Sequence, residues 1–248
     1  VGSIGFSTGG YGVEYGDKMS SALSITYREP ESFEGSVTGS LMGFSLALGQ
    51  SSKHFSQLHG IRFKKNNSLL SSLETKGEYD PSFFDYQTNL IWKISPKWKA
   101  SFLGNIAVNR YKFKPTDRET NFGTSTDAKQ FKVYFDGEEK DRFETWFGAL
   151  NLTYTHSKST SLSLLASGFL TNELVGYDIS GEYWLDQAGT TGDGNPDNAV
   201  GGELGVGRYH EHARNRLKIS VFSLGLQGHT GINKHNLTYG LNFNRQTI

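Results

Sequence analysis

The sequence predicts an all-β fold, an antiparallel transmembrane β-barrel represented here by an incomplete wall of about nine long strands. Three observations carry this prediction. Apolar residues recur with period two, so that each stretch has one greasy and one wet face. Several of these stretches exceed the roughly five or six residues of an ordinary globular strand. The connections fall into short polar turns and long polar insertions, which alternate from residue 66 onward.

Composition agrees with many strands joined by turns: 30 glycines, 5 prolines, 17 phenylalanines and 12 tyrosines in 248 residues. There is no cysteine, hence neither a disulfide framework nor a thiolate metal site. Lysine and arginine number 25 against 25 acidic residues, so no global field gathers nucleic acid, which is not expected as a partner. No apolar run approaches the roughly 18 residues of a spanning helix. The opening VGSIGFSTGG lacks the basic and apolar regions of a signal peptide and reads as a mature or internal segment.

Taken in order, GGYGVEYGDK (9–18) has the residues of a turn, and SSALSITYREP (20–30) becomes a short alternating strand. Alternating stretches follow at 35–48, 55–65, 83–94, 98–113, 131–135, 143–156, 161–184, 216–228 and 236–246. In SLSLLASGFLTNE, Leu162, Leu164 and Leu170 oppose Ser161, Ser163, Ser167 and Thr171. In NLTYGLNF, Leu237, Tyr239, Leu241 and Phe243 oppose Thr238, Gly240, Asn242 and Asn244. ISPKWK, THSKSTS and HTGINKH read as turns on one rim, and 66–82, 114–130 and 185–215 as long loops on the other. Trp92, Trp98, Tyr154 and Tyr239 stand where an interfacial aromatic girdle is expected.

With the strands placed, Tyr15-Gly16, Ala22-Leu23-Ser24-Ile25-Thr26 and Arg28 resemble the end of the plug domain of bacterial TonB-dependent outer-membrane receptors. EGSVTGSLMGFSLALG, SFLGNIAVNRYKFKPTDRETNFG and TNELVGYDISGEYWLDQA are similar to early barrel strands of the same family. Ser21 and Ser24 depart from it, standing where the family strand usually has asparagine. The resemblance implies the end of a plug at 1–32 and the first part of a barrel at 33–248. A complete barrel has about 22 strands, so the chain is expected to be an internal fragment. It further implies uptake of a scarce nutrient across the bacterial outer membrane. The implied partners are outer-membrane lipid, the TonB energy-coupling complex, a surface lipoprotein and the nutrient itself. The nutrient stays open among iron chelates, cobalamin, oligosaccharides and peptides. A soluble or surface β-rich module that binds glycans through its aromatics is the alternative from the residues alone.

Three motifs bear on chemistry. GFSTG around Ser7 fits a nucleophile elbow in spelling, but the buried strand that must precede it and the helix that must follow are not expected from four leading residues and a following Gly-Gly-Tyr-Gly, and a turn is expected; no catalytic site and no enzyme are read. Asp193, Asn195 and Asp197 are spaced as oxygen ligands of a calcium loop, with Asn198 where a glycine belongs and Glu203 one position early; a polar loop explains the same run. His210 and His212 share one side of an extended segment, within reach of a common metal, with Glu211 opposite. Calcium is thus the one cofactor weighed.

Overall fold

A computed structural model describes residues 2–10, 12–16, 20–65, 77–124, 127–187 and 203–248. Its strands are β1 (Ser3–Ser7), β2 (Ala22–Thr26), β3 (Glu34–Ser40), β4 (Gly43–Ser51), β5 (Phe55–Lys65), β6 (Gly77–Tyr79), β7 (Ser82–Lys93), β8 (Trp98–Pro115), β9 (Arg118–Thr124), β10 (Asp127–Ser157), β11 (Thr160–Gln187), β12 (Glu203–Ile232) and β13 (His235–Thr247). The chain is all-β and antiparallel. Among the described residues the only helical element is one short 3-10 turn, Val13–Tyr15, and no helix is long and apolar enough to cross a membrane.

The first two strands pair with each other, Ser3 opposite Thr26 through Ser7 opposite Ala22, apart from the main sheet. From Glu34 onward the chain meanders: β3, β4, β5, β7, β8, β10, β11, β12 and β13 lie side by side in that order. Short β6 pairs with β8, and β9 folds back on β10. The sheet is open, since β3 pairs only with β4 and β13 only with β12 among the described residues.

The expected turns do share a rim. The Lys93 amide donates to the His54 carbonyl at 2.8 Å, Thr155 to Lys97 at 2.8 Å and Gly231 to Ser159 at 2.8 Å, which ties successive turns together. Two of the turns are held by a hydroxyl near their start: Ser52 Oγ accepts from the Phe55 amide at 3.2 Å, and Ser95 Oγ from the Trp98 amide at 3.1 Å.

Three sequence expectations are corrected. The stretch 35–48 is two strands, because Leu41 and Met42 form a turn whose apolar residues hide it; Leu41 is 98% exposed. The stretches 131–135 and 143–156 belong to one 31-residue strand. The described parts of the insertions 114–130 and 185–215 are largely strand: β8 runs to Pro115, β9 pairs with β10, β11 reaches Gln187 and β12 begins at Glu203, while 125–126 and 188–202 lie outside the described residues. Of 66–82, residues 77–79 pair with β8 and Ser82 already opens β7, while 66–76 lie outside the described residues.

Burial is sparse. Ala22 and Ile91 are the buried apolar residues, and no large side chain is fully buried among the described residues. A single sheet has no second layer to make a core. Its stability rests on the long hydrogen-bonded ladders, so ladder geometry is where single substitutions should hurt. Gly43 opens β4 at φ +145, and a Cβ there would collide with the Phe63 carbonyl of β5. Gly43→Val is expected to lower unfolding free energy by about 1 to 3 kcal/mol in denaturant titration, whereas Gly39→Val, which meets open space, should change it little.

Candidate functional site

Residues directly opposite in an antiparallel ladder point to the same side, so the registers assign every strand residue to one of two faces. On the leucine face of β10, Trp146, Gly148, Leu150, Leu152 and Tyr154 lie on one side of the sheet. They align with Leu170, Gly168, Ala166, Leu164 and Leu162 on β11, and with Phe222, Leu224 and Leu226 on β12. Leu241 and Phe243 of β13 continue the same face, 76% and 58% exposed. The opposite, serine face of this half carries Asn151, Thr153, Ser161, Ser163, Gln227 and Asn242. An aromatic belt borders the leucine face at the turn rim: Phe55 with Trp92 at 5.3 Å between centroids and Trp98 with Tyr154 at 4.8 Å.

One polar patch interrupts the leucine face. His59 Nδ1 lies 2.9 Å from Tyr86 Oη and 3.1 Å from Thr88 Oγ1, Nε2 lies 3.3 Å from Gln57 Oε1, and Gln57 donates to Gln50 at 3.0 Å. These groups satisfy one another, which removes most of the cost of an apolar setting.

Past Trp146 the faces exchange character while the register runs on unbroken. The leucine face becomes charged, with Glu144, Arg142, Lys140, Glu138 and Asp136 along β10 and Arg216, Arg214, His212, His210 and Arg208 along β12. The serine face carries Glu173, Asp141 and Glu139 beside Phe143 and Val175, and further out becomes apolar and aromatic, with Phe131, Val133, Phe135, Tyr177, Ile179, Tyr183 and Tyr209.

Two tyrosines there lie flat on glycines of the next strand. Tyr183 stands opposite Gly207 and Tyr209 opposite Gly181, and a Cβ on either glycine would fall inside the facing ring. Phe131 sits 6.0 Å from the Tyr183 ring, and Phe135 packs edge-on to Tyr209 at 6.4 Å. The result is an aromatic platform with exposed ring faces. Nearer the turn rim on the same face, Arg62 Nε donates to Asp85 Oδ2 at 2.8 Å, and the guanidinium carbon of Arg62 lies 5.2 Å from the centroid of the Phe83 ring. This is a second surface that offers both charge and π-density.

The segment after β2 docks on the serine face. Tyr27 Oη donates to Gln87 at 3.5 Å, and the Glu29 carboxylate takes Lys93 at 2.7 Å and Lys99 at 3.0 Å. Val13 reaches the far side of the same face, lining a cavity of about 460 Å³ with Asn151, Ser163, Gln227, Thr238 and Asn242.

Asp193, Asn195 and Asp197 lie outside the described residues. His210 and His212 do share a face, rings 5.6 Å apart, and His210 Nε2 bonds Asp178 at 2.6 Å, which holds the Asp178 carboxyl below its usual range. Among the described residues no group of three or more His, Cys, Asp or Glu side chains is arranged to hold a metal. Ser7 ends β1, its hydroxyl donating to the Gly9 carbonyl at 3.0 Å. The aromatic platform and the Glu29 clamp were not singled out in the sequence; the odd-numbered aromatics of 131–135 and 177–183 are the signal that marks the platform. Searches of family models, characterised proteins and solved structures find no match to this chain.

The clamp makes a pH prediction. Hydrogen bonds from Lys93 and Lys99 lower the Glu29 pKa below 4.5, so docking is fully stabilised above the ordinary carboxylate value and lost as pH falls through the lowered one. Proteolytic protection of residues 27–30 should therefore weaken on strong acidification, and Glu29→Gln should weaken it at neutral pH as well.

Proposed function

We propose that this sheet is part of the wall of a TonB-dependent outer-membrane receptor that binds a scarce nutrient outside the cell and imports it. The observation that carries the reading is the exchange of faces along unbroken strands. A strand that leaves hydrocarbon for water must stop presenting apolar side chains outward, whereas a soluble sandwich keeps one face apolar to the strand's end. From Trp146 to Tyr154 the apolar run of β10 covers nine residues, within the roughly 9–11 that a tilted strand needs to cross. The aromatic belt supports an interface at the turn rim, and the unpaired edges of β3 and β13 call for further strands, because open edges do not persist in lipid.

In this reading the serine face is the lumen. The docked 27–29 segment is the end of the plug, held by Lys93 and Lys99, and rearrangement of the plug under pull from the energy-coupling complex would release those contacts. The aromatic platform on the far side is the outward-open binding surface. Its flat tyrosine faces suit the ring faces of a sugar or of a planar chelate.

Two outcomes test this. Leu164→Arg places a charge in the apolar band and is expected to cost about 2 to 4 kcal/mol of stability in lipid vesicles, against little for the adjacent Ser163→Arg on the lumen face; equal effects would refute the band. In cells supplied separately with a ferric chelate, cobalamin and an oligosaccharide, uptake of one of them should require both this protein and TonB, and Tyr183→Ala with Tyr209→Ala should weaken its binding about tenfold or more.

A further inference from the structure

Just beyond the apolar band, two consecutive rungs of the leucine face are almost wholly basic. Arg110 of β8 stands opposite Arg142 of β10, then Leu174 of β11 and Arg216 of β12. One rung further, Lys112 stands opposite Lys140, then Gly176 and Arg214. Like charges directly opposite across a ladder are destabilising. Here this occurs twice in succession between the same two strands. Glu144 pairs with Arg142, and Glu138 with Lys112 at 2.7 Å and with Lys140. Arg110, Arg214 and Arg216 have no ion pair among the described residues.

A local rule broken this consistently, at a surface, marks a place where something outside the chain supplies the missing charge. We propose that these rungs bind the phosphate groups of anionic lipid headgroups. Three features select that occupant. The rungs face the same side as Trp146, Leu150 and Leu164, so whatever covers the apolar band ends directly beneath them. Arg142 lies four residues past Trp146, roughly 13 Å along the strand at about 3.3 Å per residue, a level that long basic side chains span back to a headgroup layer. Between Lys140 and Arg214 the missing side chain of Gly176 leaves a groove of about 730 Å³, which Glu138, Asp178 and His212 close on the side away from the band. The acids at the far end and the bases at the near end orient an anion toward the apolar band.

The inference rests on the membrane reading, and the test separates the two. The purified protein in neutral detergent is presented with vesicles of phosphatidylcholine alone or with phosphatidic acid of the same chains, and bound lipid is counted after flotation. Wild type should retain phosphatidic acid over phosphatidylcholine by at least about tenfold. Arg110→Gln with Arg142→Gln and Arg216→Gln should abolish that preference while still floating with phosphatidylcholine. A control that removes equal charge from the opposite rim, Lys97→Gln with Lys158→Gln and Lys234→Gln, should keep it. Equal retention of both lipids by wild type, loss of preference in the control to the same degree, or displacement by millimolar inorganic phosphate would overturn the proposal and leave the membrane reading standing. Failure of wild type to float with either vesicle would overturn both.

Discussion

Unbroken antiparallel pairing leaves each residue of this sheet only two places to point. From Trp98–Tyr154 at the turn rim to Phe113–Glu139, the β8–β10 ladder runs without a shift, and β10–β11 continues to Lys129–Gln187 with one irregularity beside the turn. With the backbone fixed in this way, the chain can change what it shows to its surroundings only by changing which parity carries apolar residues. It does so once, at the level of Trp146. Every functional assignment above depends on that one exchange, because the band, the basic rungs and the aromatic platform are the two faces on its two sides.

The same exchange explains what could be read from the sequence and what could not. Where leucines alternate with serines, as in 161–171 or 236–244, period two identifies both the strand and its greasy face, and the coordinates place them accordingly. Across the exchange the pattern interrupts itself. Phe143, Glu144 and Thr145 carry the apolar parity from even to odd positions, so a search for one apolar face sees a strand end, then a loop, then a new strand at 131–135. The backbone makes no such break. The turn at Leu41–Met42 was hidden for the converse reason, as its residues are apolar and its geometry depends on Gly43 at φ +145. The platform was half visible: its aromatics stand in the sequence, but the glycines beneath Tyr183 and Tyr209 are on a neighbouring strand, and only the register unites them.

The segment before the sheet shows how a short polar linkage fixes a larger arrangement. Glu29 bridges lysines from two adjacent strands, Lys93 and Lys99, on either side of one tight turn. Arg28 then pairs with Glu34 at 2.5 Å, and Pro30 packs against Gly49, so the chain enters β3 at the turn rim. Entry at that rim sets the direction of every later strand, since each is antiparallel to the last. The exposed setting of these ion pairs means each contributes little on its own. Their effect is positional, and a contact of modest strength suits the reversible plug proposed above.

The polar patch around His59 sharpens the account of the band. Five of its side chains are bonded to each other inside the apolar face, and the Tyr86 ring also stacks on the histidine at 6.1 Å. In hydrocarbon such a network is tolerable only while all its members are satisfied, because an orphaned donor there costs several kcal/mol. The patch also lies on β4, β5 and β7, close to the edge strand β3, whereas β10 to β12 carry no comparable interruption within the band. On the proposed membrane reading, an uninterrupted apolar face where the strands are longest and a self-satisfied polar one near the sheet's edge would put the most demanding part of the lipid contact at β10 to β12. Those are the same strands that carry the aromatic platform on their other face. In the proposed wall, three strands would meet lipid, headgroup and ligand at different heights, with one continuous ladder holding all three surfaces in fixed relation.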